Sequence, residues 1–316
     1  MKMSRAPLAV QQRGSGLGPG ARGVLVAPRG LARAAGPAAA AAAPRSRAPA
    51  VAVRAMLAPS TTNPAFTGFG HLDDAIVESR YSSNAPMTLG GTVNKTACLL
   101  ALTVAAMAAT WAQLLTGGPA ALPAVMGATK IAGVVAMVAA IASMFKPLWS
   151  NVTGPVYALS KGIALGGVAA FAEMMAPGVA FNALLLTMST AGSLLFALKS
   201  NMIQVTDSFS DTVRAVTGGF FISMLVVFAL AAFGVKLPGL FSAGPIAMVV
   251  SLVSAGLAAA NLLLDFDFAR QAAYSKSVPR KLEWYFAQST LFTLVWMFTS
   301  ILSLLMQLAG IGGSSD

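Results

Sequence analysis

The stretch NLLLDFDFARQ, residues 261–271, sets two carboxylates two positions apart where an oily run gives out. Asp265 and Asp267 are the residues of this chain whose type and setting could do chemistry. An ionisable group inside a membrane-crossing run costs about 2.5–3.5 kcal/mol on insertion scales, so each one is a functional candidate by default. Lys130, Lys161, Asp265 and Asp267 fall in or beside such runs, and Glu173 stands near the end of another. The lysines have long stems that can snorkel to a surface. An aspartate cannot reach far. With its helix read as ending at Asp265, the carboxylate also meets the negative end of the backbone dipole. Water, a cation, a proton or a base must then offset its cost. Arg270 and Lys276 follow closely, so one reading is a solvated carboxylate paired with that loop. The other is a titratable or cation-binding group at the inner mouth of a bundle, able to take calcium transiently without a fixed metal.

The elements that must position these groups are long and apolar. The chain is 56% hydrophobic and 10% charged over 316 residues, with mean hydropathy +0.73. A helix that crosses about 30 Å of hydrocarbon needs roughly 20 mostly apolar residues. Seven such runs are expected, at about 97–115, 121–145, 153–175, 178–198, 213–234, 244–265 and 286–310. Every backbone group in lipid must bond internally, so the spans are helices and the fold class is an all-α, polytopic seven-helix bundle. TGGP at 116–119 reads as a stop after the first span, and Gly244-Pro245 as the opening of the sixth. Lys146, Lys199, Arg214, Arg270, Lys276, Arg280 and Lys281 follow even-numbered spans, and only Lys236 follows an odd one. That bias puts the N-terminus inside and the C-terminus outside. Gly162 and Gly166 form a small-residue step in the third span, and Ala255 and Ala259 one in the sixth.

Ahead of the bundle lie two segments of different composition. Residues 1–55 are rich in Ala, Arg, Gly and Pro and hold nine of the 21 Lys and Arg, while the first acid is Asp73. This Arg-rich, acid-poor stretch has the character of an organelle transit peptide. AVAVRAM at 50–56 resembles chloroplast cleavage sites. A chloroplast membrane, envelope or thylakoid, is therefore favoured, with the mitochondrial inner membrane as the alternative. Residues 56–90 read as a polar linker in which HLDDAIVESR could form a short amphipathic turn, and 91–312 as the transmembrane domain. Of the net charge of +11, nine lie in the leading segment and only two in the rest of the chain, which argues against a nucleic-acid partner. Cys98 is the only cysteine and His71 the only histidine, so a disulfide, a Cys/His metal cluster and a Ser-His-Asp triad are excluded. Cys98 is expected to be buried. No convergence of nucleophile, base and acid suggests an enzyme, and no cofactor is implied.

Taken in order, NPAF, PMTLGGTVNKTACLLALTVAAMAATW, GPVYALSKGIALGGVAAFAE, KSNMIQVTDSFSDTVRAVTGGFFISMLV, GPIAMVVSLVSAGLAAANLLLDFDFARQ and KLEWYFAQSTLFTLVWMFTSILSLL resemble Bax inhibitor/YccA-like membrane proteins of the bacterial-type branch, over about 62–308. The resemblance implies a seven-helix bundle around a central last helix. It also implies pH-sensitive calcium leak, restraint of cell death in eukaryotes, and binding to a membrane-embedded protease in bacteria. In that family a carboxylate of the sixth helix faces one in the seventh, and shared protonation closes the pore. The first carboxylate maps to Asp265, with Asp267 beside it. The seventh span, however, holds no acid between Glu283 and Asp316, and Lys161 is a base where related sequences carry an acid. Lys161 is thus a candidate partner for Asp265. Two readings result: a leak for calcium or protons centred on Asp265, or a non-conducting partner of other membrane proteins such as a quality-control protease.

Overall fold

A computed structural model describes residues 71–82, 85–200, 202, 205–233 and 244–310, all within the unit Ser46–Asp316; the leading segment read as an address lies outside them. Seven helices in it are long and apolar enough to cross a membrane. A short helix α1, His71–Ser82, precedes them, within the expected linker. Helix α2, Leu89–Phe145, supplies the first two spans, Leu89–Gly118 and Ala120–Phe145. The other spans are α3 (Ser150–Met175), α4 (Val179–Lys199), α5 (Asp207–Ala232), α6 (Pro245–Ser275) and α7 (Glu283–Leu308).

One expectation is met in an unexpected form and two are corrected by the elements themselves. TGGP does end the first span, but at a kink: Gly118, the last residue of that span, has a φ of 57°, open to glycine and strained for other residues. Cys98 is exposed on the outward side of α2, because one apolar face of a membrane helix meets lipid as readily as the other meets protein. Most consequentially, α6 does not end at Asp265. It continues to Ser275, where Lys276 takes a left-handed cap conformation. Phe268, Ala269 and Ala272 keep the helical repeat beyond the two acids and bury against Ile76 of α1 and Tyr285 and Phe286 of α7. Asp265 therefore lies about 15 Å inside the helix, at 1.5 Å per residue, and the end-of-helix dipole does not act on it.

Helix α7 is the hub. It packs against α2, α3, α4 and α6, whereas α5 leans chiefly on α6. The most extensive contact joins α2 to α3, through the expected small-residue step: a Cβ at Gly162 would overlap the Thr103 carbonyl, and one at Gly166 would meet the Met107 carbonyl and Thr110. Hydroxyls inside the bundle commonly fold back on their own helix, as Thr103 does to Leu99 O and Thr187 to Ala183 O, which satisfies them without water. At one end of the bundle the chain is latched across itself. Met87 N donates to Val278 O at 2.7 Å and Arg280 N to Ala85 O at 2.9 Å, joining the approach to α2 with the approach to α7.

Candidate functional site

One carboxylate is wholly enclosed where α6 crosses α7. Asp265 has no exposed surface, and Thr293 Oγ1 of α7 donates to its Oδ2 at 2.5 Å. Thr293 stands about 15 Å into α7, level with Asp265 on α6. A hydroxyl thus occupies the α7 position facing the α6 acid, where the resemblance leads one to look for a second carboxylate. Ser289 and Thr290 are buried on the same helix.

Asp267 has a different role in the geometry. It is buried, receives a 2.6 Å hydrogen bond from Gln271 Nε2, and lies 4.0 Å from Arg270 Nε. Both partners are on α6 itself, one turn ahead, so this acid is held by its own helix. Lys161 on α3 is half-buried, makes no ion pair with any described residue, and is not brought to Asp265. Lys130 is exposed. Glu173 closes the turn between α3 and α4: its carboxylate accepts from Gly178 N at 2.6 Å and Ala180 N at 3.1 Å, at the positive end of α4.

The sequence reading missed a third buried carboxylate. Glu283, at the start of α7, is fully buried. It pairs with the Lys95 ammonium and accepts from Thr88 N and Thr88 Oγ1, both at 2.9 Å, with Arg280 Nε 4.0 Å away. Thr88 is also the N-cap of α2, its hydroxyl accepting from Gly91 N at 3.1 Å. A Cβ at Gly91 would overlap the Glu283 carboxylate, so glycine is what lets the acid approach the helix. Spacing along the chain carries no signal for this clasp, since its halves lie at opposite ends of the membrane domain.

Further polar groups extend the pattern along α7. Gln288 Nε2 donates to Ser143 Oγ at 2.7 Å, and that hydroxyl lies 2.8 Å from Thr153 Oγ1, tying α7 to α2 and α3. Ser300 and Ser254 hydroxyls are 2.7 Å apart, Trp296 Nε1 donates to Ser254 Oγ at 3.0 Å, and Gln307 Nε2 to Ser251 Oγ at 3.0 Å. From Glu283 to Gln307 this column rises about 36 Å, enough to pass through hydrocarbon.

Apolar helices of membrane-crossing length, bonded inside and apolar outside, define a polytopic α-helical membrane protein with its last helix at the centre. The chain belongs to the family described as Bax inhibitor 1 like, whose profile matches residues 32–310. No curated protein and no solved structure matches the chain. The family match begins well before residue 62, inside the stretch whose composition reads as an organelle address.

Proposed function

We propose that this protein handles ions across its membrane, as a pH-sensitive leak centred on Asp265. The observation that carries the proposal is the pairing of that buried acid with a hydroxyl. A threonine hydroxyl donates to a carboxylate and accepts from a carboxylic acid, so the same contact serves both protonation states. A proton is the cargo this arrangement suits best. Calcium takes about six to eight oxygen ligands, several of them carboxylates, and no group of three or more His, Cys, Asp and Glu able to hold a metal occurs among the described residues. Calcium would meet Asp265 only in passing. Asp267 and Lys161 are auxiliary at most in this scheme.

The loop charges orient the molecule with its N-terminus and the Glu283 end inside and the C-terminus outside. The leading segment directs it to an organelle membrane, chloroplast ahead of mitochondrial. The alternative is a non-conducting partner of other membrane proteins, such as a quality-control protease. The single carboxylate at the α6–α7 crossing favours that reading, because two acids sharing a proton would make the sharper switch. No catalytic activity is proposed.

Liposomes carrying the purified chain, loaded with a pH dye or a calcium dye, decide between them. Proton flux above that of empty vesicles is expected, with its pH dependence flattened by Asp265→Asn. Flux equal to that of empty vesicles at every pH, for both ions, would leave only the docking role.

A further inference from the structure

A cleft of about 220 Å³ opens between α1 and the 3-10 turn Pro147–Trp149. Its lining includes Asp74 and Glu78 of α1 on one side and Phe145, Lys146, Leu148 and Trp149 on the other. Lys146 is the single residue between the second and third spans, so the cleft lies where lipid meets water, whichever way the bundle is inserted. Trp149 and Phe145 are both largely exposed there, as residues of an interfacial belt are.

The charges in this cleft are separated. Asp74 and Glu78 are one turn apart on α1, an arrangement in which like charges repel. Lys146 sits over the Trp149 ring, its Nζ 4.7 Å from the centroid, and forms no ion pair with any described residue. Two acids thus face outward while α1 spends its apolar side, Leu72, Ala75 and Ile76, on the bundle. A bare divalent cation fits poorly, with two carboxylates and an ammonium in the same cleft. A ligand carrying both signs fits: an amine between the carboxylates, an anion at Lys146, and hydrocarbon against the aromatic rim.

We propose that this cleft binds the headgroup of a membrane aminophospholipid, its ammonium held by Asp74 and Glu78 and its phosphate by Lys146. The lipid's tails then lie along Phe145 and Trp149, and α1 is fastened to the bilayer as well as to the bundle. The shared chemistry is that of phosphoethanolamine. The membrane is its source here, because the site opens at headgroup level beside apolar rings.

The test is native mass spectrometry of the delipidated full chain in detergent with equimolar phosphatidylethanolamine and phosphatidylglycerol. Preferential retention of one phosphatidylethanolamine is expected, falling about fivefold in Asp74→Ala/Glu78→Ala. Asp74→Lys/Glu78→Lys, which makes the cleft wholly basic, is expected to invert the preference towards phosphatidylglycerol. All three side chains are exposed, so the variants retain the fold, which a melting curve checks. Equal retention of the two lipids by the native chain, or an adduct unmoved by both double variants, would overturn the site. Tighter retention of soluble phosphoethanolamine than of the lipid would overturn the membrane source, and retention of tetralysine in place of either would reassign the acids to a basic protein partner.

Discussion

Two carboxylates are buried along α7 about 15 Å apart, and their surroundings differ in kind. Glu283 is ringed by donors that cannot accept: the Lys95 ammonium and the Thr88 amide, with the Thr88 hydroxyl alongside. An ammonium has three donors and no lone pair, so that contact is strongest while the glutamate is ionised and cannot take up a proton from its acid form. Asp265 meets a hydroxyl, which can turn its hydrogen toward a carboxylate or its lone pair toward an acid. The first arrangement fixes a charge to fasten helices. The second tolerates a change of charge. Burial is common to both acids; what differs is the range of charge states their partners can accommodate.

Removing the fixed charge is the strongest way to break that contrast. Glu283→Ala leaves the Lys95 ammonium and the Thr88 donors without their acceptor at the end where α2 and α7 are joined. Deleting one member of a buried pair costs about 3–5 kcal/mol, whereas replacing both by apolar residues is often neutral. Thermal unfolding in detergent is expected to show the full loss for Glu283→Ala and most of it recovered in Lys95→Met/Glu283→Met. A melting curve unchanged by Glu283→Ala would mean the clasp is solvated and the contrast false.

A gentler perturbation of the same clasp keeps both charges. Gly91→Ala inserts a methyl group into the space of the Glu283 carboxylate, which must move along with Lys95. Overpacking of this kind costs about 1–3 kcal/mol. Gly256 on α6, around which a Cβ would meet nothing within 4 Å, is the control, and alanine there is expected to be neutral or slightly stabilising. Equal behaviour of the two variants would show that Gly91 is not what brings the acid to α2.

Why the first carboxylate was legible and the second was not has a physical basis. Run length reveals spans, since hydrocarbon thickness fixes how many apolar residues each needs, and all seven appear near the expected places. Asp265 stood out because a charge in an apolar run is costly. Glu283 lies beside Arg280 and Lys281, where a charge looks solvated, and its main partner is 188 positions away. The extension of α6 past Asp265 had a readable signal. Leu264, Phe268 and Ala272 recur at helical spacing and are buried, but the acids and Arg270 among them suggested a loop. Thr293 was visible as a polar residue of the last span; that it faces Asp265 follows only from how α6 and α7 cross.

The smallest expected effect bears most directly on the versatile partner. Thr293→Val keeps the shape and removes the hydroxyl, and hydrogen bonds between membrane helices average about 0.6 kcal/mol, with a maximum near 1.7. Hydrogen bonds to a charged group are worth about 1.5–3 kcal/mol against about 0.5–1.5 for neutral pairs, so the loss depends on the state of Asp265. The ionised form loses a charge-assisted bond and the neutral form a weaker one. Thr293→Val is therefore expected to lower the melting temperature more in alkaline buffer than in acid, while Thr293→Ser follows the native chain in both. An equal decrement at every pH would mean that Asp265 keeps one protonation state throughout, and the proton-handling role would lose its acid.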